Sequence, residues 1–125
     1  MIAFVDGEAG ADVVERALLD ANNQCLAHAI NLCEVFYGFY RVGGESYARQ
    51  VIDDLSKTGV IERSDFDNTF WQEAGTIKAV HKRVSIADCF AIALTNRLGA
   101  VLLTSDHHEL YRLAAKAVCP IQFIR

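Results

Sequence analysis

The chain has 125 residues, 52% of them hydrophobic and 22% charged, with a single proline; the length suits one domain with a real core, and the balance excludes a disordered chain. A formal net charge of -4 and a pI near 5.5 exclude a protein that holds nucleic acid by a broad basic surface, so any such contact must be local. Met1-Ile2-Ala3-Phe4-Val5 meets Asp6 too soon for a signal-peptide core, and no later apolar run approaches the roughly 20 residues of a membrane span, which together point to the cytoplasm. Cys25, Cys33, Cys89 and Cys119 form no Cys-x-x-Cys pair and read as reduced core thiols rather than a zinc site or a disulfide frame.

In chain order, Val13, Val14, Ala17, Leu18 and Ala21 recur at helical spacing, and Asn22-Asn23 ends that helix. Residues 25–30 form a short apolar run fit for a buried strand. Asn31-Leu32-Cys33-Glu34 then has the form of a capping box, which places a helix start at Asn31 with Leu32, Val35, Phe36 and Phe39 on its buried face. Gly43-Gly44 breaks this helix, and Tyr47, Ala48, Val51, Ile52 and Leu55 resume the spacing as far as Gly59. Val60-Ile61 reads as a short strand, Ser64 or Asp65 as the cap of a helix carrying Phe70, Trp71, Ala74 and Ile77, and His81-Lys82-Arg83 as an exposed basic loop.

A second capping box, Ser85-Ile86-Ala87-Asp88, opens a helix through Phe90, Ala93, Leu94 and Leu98 that stops at Gly99. Residues 100–104 read as a buried strand, Ser105-Asp106 as the start of a helix with Leu110, Leu113, Ala114 and Ala117 inward, and residues 121–124 as a last strand. Helices alternating with short apolar strands imply an α/β fold with a parallel sheet covered on both faces.

Glu34, Asp88 and Asp106 each fall in or just before the first turn of a helix that follows a strand or loop. In a parallel sheet such turns gather at the carboxyl edge of the strands, so the three can converge; crowded ionised carboxylates then need a cation, and an all-oxygen site suits magnesium or manganese. The chemistry this serves is metal-assisted hydrolysis of a phosphodiester. Each acid also has a plainer reading as a helix cap, and the recurrence of one arrangement three times is what favours the cluster. His107-His108-Glu109 invites a metal reading, but neighbouring helical residues point apart and a solvated pair fits better. His81, Lys82 and Arg83 can grip phosphates or remain a solvated loop, and Thr104 or Ser105 can orient a water or cap a helix.

The strings Asn31-Leu32-Cys33-Glu34-Val35 with Tyr37-Gly38, Ser85-Ile86-Ala87-Asp88 with Ala91, and Leu102-Leu103-Thr104-Ser105-Asp106 resemble, in order and spacing, three downstream motifs of PIN domains, particularly VapC toxins. The resemblance runs across essentially the whole chain. It implies a single PIN-like domain over residues 1–125, a three-layer α/β/α sandwich with a central parallel sheet. It also implies a magnesium- or manganese-dependent endoribonuclease, a VapB-type antitoxin as partner and a homodimer. Glu34, Asp88 and Asp106 match the family's second, third and fourth acids, and Thr104 its accessory hydroxyl. Residues 2–11 look like the end of the family's first helix and the loop after it, so the first strand and first acid are expected to be missing and the chain to be weakly active or inactive. The alternative alignment makes residues 2–5 the strand and Asp6 the first acid, closer to Glu34 than the family's spacing. The rival to a nuclease is a non-catalytic PIN-like module that binds a protein partner or RNA.

Overall fold

The computed structural model describes residues 1–125, which divide into two compact units, Met1–Ser64 and Asp65–Arg125, each with its own core. In the first unit α1 (Ile2–Val5) and α2 (Ala11–Leu19) precede β1 (Leu26–His28), α3 (Ala29–Lys57) and β2 (Ile61–Arg63). β1 and β2 pair in parallel, Leu26 opposite Ile61 and His28 opposite Arg63, a pairing that needs a crossover and here has α3. Residues 2–5 are therefore helical, and the strand reading of that segment is overturned: Phe4 and Val5 donate backbone bonds to the Met1 carbonyl, and Met1, Phe4 and Val5 pack on the core of α3.

The helix expected to start at Asn31 starts at Ala29 instead. His28 ends β1 in extended conformation, and its Nδ1 accepts from the Ile30 N–H at 3.2 Å, satisfying a first-turn donor before Asn31 is reached. Glu34 consequently lies in the second turn of α3 and is not the acid of a capping box. The Gly43-Gly44 break is a bend inside α3, made at Gly44 with φ 83° and ψ -178°. Across it Phe39 and Tyr47 meet edge to face with ring centroids 5.7 Å apart, and Val35, Phe39, Ala48, Val51 and Leu55 form one buried cluster. Of the four free thiols, Cys89 and Cys119 are buried, whereas Cys33 is exposed, against the expectation of four core cysteines.

The second unit runs α4 (Asn68–Val80), α5 (Ile86–Leu98), β3 (Leu102–Thr104), α6 (His107–Ala115) and β4 (Ile121–Phe123). β3 and β4 are again parallel, Leu102 opposite Ile121, with α6 as crossover. Two parallel pairs thus stand where one central sheet was expected. The core joins Phe70, Ala74 and Ile77 of α4, Cys89, Ile92 and Ala93 of α5, and Leu110 and Leu113 of α6. Burying each of these leucines contributes about 1.5–3 kcal/mol. Ala117 is exposed at φ 51°, beyond the end of α6, so the inward reading of that residue fails.

Asp67, not Ser64 or Asp65, caps α4, its Oδ2 accepting from the Phe70 N–H at 3.3 Å. Arg97 fixes the choice. Its guanidinium lies 4.8 Å from the Phe70 ring centroid and forks onto Asp67 at 2.6 and 2.8 Å while also reaching Asp65 at 3.0 Å. Those bonds from Arg97 hold the Asp67 carboxyl down to about 2. No helix is long and apolar enough to cross a membrane.

Candidate functional site

The second unit gathers three carboxylates: Asp88, Asp106 and Glu109 each offer an oxygen, all within 4.8 Å of one another, and all three side chains are half-buried. The local sequence explains how each is presented. Ser85 caps α5 as expected, its Oγ accepting from the Asp88 N–H at 3.0 Å, so Asp88 sits in the first turn. Asp106 caps α6, its Oδ1 accepting from the Glu109 N–H at 3.0 Å, while its own N–H donates to Thr104 Oγ1 at 3.0 Å. Glu109 stands three residues beyond that cap, and its Oε2 accepts from the Ser85 N–H at 2.9 Å, which joins the start of α6 to the start of α5.

Each acid therefore has one oxygen tied to the protein: Asp88 Oδ2 by the Ser85 hydroxyl at 2.8 Å, Asp106 Oδ1 by a backbone N–H, Glu109 Oε2 by another. The other oxygen of each meets no protein donor. Burial pushes the Asp88 carboxyl up, the Ser85 hydroxyl bond opposes this, and the charges of Glu109 and Asp106 push it up further. Half-buried like charges, each with an uncommitted oxygen, are the donor set of a hard divalent cation, so magnesium or manganese fits these residues.

Within His107-His108-Glu109 the adjacent histidines mask Glu109 as a ligand candidate. The signal that finds it is Asp106-x-x-Glu109, a capping-box form like that of Ser85 and Asp88. The histidines stand apart from the cluster: His107 stacks on Phe123 with centroids 4.2 Å apart, its Nε2 bonds the Arg125 carbonyl, and His108 is exposed. Glu34, half-buried on α3, and Asp6, exposed at the end of α1, belong to the first unit. On the loop before Ser85, Lys82 and Arg83 are exposed and His81 is half-buried.

A family model described as PIN domain matches residues 1–116. Among solved structures, the DNA-bound VapBC from Salmonella typhimurium is similar at 18% identity and TM-score 0.71, over 99% of this chain and 91% of that one. VapBC-1 from nontypeable Haemophilus influenzae is similar at 18% identity and TM-score 0.67, over 93% and 84% of the two chains. At such identity the likeness speaks for the fold. Among curated proteins none matches this chain.

Proposed function

This chain belongs to the PIN-domain family, and on that premise we propose that it is a metal-dependent endoribonuclease, the toxin of a VapBC-type pair. The observation that carries the proposal is the triad of Asp88, Asp106 and Glu109, three carboxylate oxygens within 4.8 Å of one another. Magnesium or manganese held by these residues, with Glu34 added by family likeness, would supply Lewis acidity and charge neutralisation at a phosphodiester.

The chain's own part is positional and electrostatic. Ser85 and the two helix starts hold the acids with one oxygen each uncommitted, and a bound cation would offset the burial and the neighbouring charges that raise the Asp88 carboxyl. Thr104, matched by likeness to an accessory hydroxyl, orients Asp106 by accepting its N–H. His81, Lys82 and Arg83 grip the RNA backbone, a local positive patch on an acidic protein. We leave Asp6 out of the set because the strand that would have presented it is a helix. The neighbouring VapBC assemblies support a VapB-type antitoxin as partner, and family likeness adds a homodimer in the cytoplasm.

The test is cleavage. Purified chain with RNA and manganese is expected to cut, and cutting is expected to stop on adding EDTA and in Asp88→Asn. Cleavage indifferent to both rejects the proposal, and RNA binding without cleavage favours the non-catalytic module.

A further inference from the structure

We infer that Ser85 is a positioning residue that joins the carboxylates of two helices into one cation site, and that Lys78 fixes it there through the loop between α4 and α5. The inference rests on the cation-binding reading above. In an ordinary capping box the carboxylate at the third helical position returns to the N–H of the cap residue. Here that N–H is diverted: Ser85 donates it to Glu109 Oε2, 24 positions along the chain, at 2.9 Å. Asp88 takes the Ser85 hydroxyl instead, at 2.8 Å, while the same Oγ accepts from the Asp88 N–H at 3.0 Å. One residue thus makes three bonds to two acids, one on α5 and one on α6.

The track of the chain into Ser85 is set from α4. Lys78 Nζ donates to the Val84 carbonyl at 2.6 Å and the Lys82 carbonyl at 3.0 Å, and the Val84 side chain is buried in the core. With the residue just before Ser85 held by an ammonium on one side and by packing on the other, the Ser85 N–H and hydroxyl are aimed before any ligand arrives. Outer partners of this kind typically govern metal affinity by about 10–100-fold, because they set the orientation of the ligating groups.

The experiment is manganese binding to the full chain, read as loss of the free-ion electron paramagnetic resonance signal, with thermal melts alongside. Glycine starts a helix nearly as well as serine, so Ser85→Gly removes the hydroxyl and keeps the cap position, whereas Ser85→Thr keeps both. We expect Asp88→Asn to abolish binding and Ser85→Gly to weaken it about tenfold. Ser85→Thr should bind manganese as the parent does, and Lys78→Met should weaken binding about tenfold. Ser85→Ala serves as a second hydroxyl deletion if the glycine variant melts early. Parent-like binding by both deletions overturns the inference while loss in Asp88→Asn leaves the cation site standing. Parent-like binding by Lys78→Met removes Lys78 from the arrangement. No binding by the parent, or none lost in Asp88→Asn, sinks the cation site and the inference together.

Discussion

In Met1–Ser64 the crossover between parallel strands is the bent, 29-residue α3, and the turn from strand to helix is capped by the buried imidazole of His28. In Asp65–Arg125 the crossover is the nine-residue α6, and the corresponding turn is capped by the carboxylate of Asp106, with Glu109 a turn further on. The topological place is the same and the chemistry differs. A strand-to-helix turn offers unpaired N–H groups in either unit. An imidazole there closes the turn. A carboxylate closes it and keeps a second oxygen for something else.

This contrast can be broken by experiment, most severely at the acids. Asp88→Asn is expected to lower metal-dependent RNA cleavage by at least about a hundredfold, more than an outer partner would, with the melting temperature little changed. A parent-like rate would reduce Asp88 to a helix cap. Next come the cores: Leu110→Ala in the second unit and Leu55→Ala in the first each remove a side chain almost wholly out of solvent, at a cost of about 2–5 kcal/mol. Denaturant melts should show similar losses, but manganese titration should weaken only for Leu110→Ala, whose residue follows Glu109 on α6. Equal weakening in both would erase the distinction between the units.

A finer comparison sets Glu109→Gln against Glu34→Gln. Removing the charge from Glu109 should cost manganese affinity about tenfold or more, at least as much as the change at Glu34; the reverse order would move the weight of the site to the first unit. The smallest effect is one of pH. Asp88 has a raised carboxyl, so between the ordinary aspartate range and its raised value the fold binds more protons than the unfolded chain, and stability falls as pH rises through that window. Measured against Asp88→Asn, the metal-free parent should lose melting temperature over this window and recover it with manganese. A difference that is flat with pH would mean that neither burial nor its acidic neighbours raise the Asp88 carboxyl.

What was legible in the sequence was whatever short-range chemistry decides. Ser85 with Asp88, Gly99 as a helix stop and the parallel character of the strands were all readable from spacing and residue type. The misses came where a more distant group outbid a local pattern. Asn31-x-x-Glu34 has a good capping form, but His28 had already closed the helix start. Ser64 and Asp65 were reasonable caps, but the fork of Arg97 favours Asp67. Glu109 gains its meaning only when α5 and α6 begin side by side, which no spacing rule announces. Glu34 reads as a ligand from its capping-box form and from family likeness together, and Asp6 only from the alternative family alignment.

The bend at Gly44 has a consequence for how the first unit can exist at all. Unbent, α3 would be a rod of about 43 Å, while a compact body of 64 residues has a radius of gyration of about 11 Å. A straight α3 would run out of unit to lean on. The two glycines that prevent this are constrained for separate reasons: Gly44 holds a positive φ that other residues avoid, and a Cβ on Gly43 would come within 2.3 Å of the Tyr47 ring. Two adjacent codons thus decide whether the rings of Phe39 and Tyr47 meet across the bend or point along a straight rod.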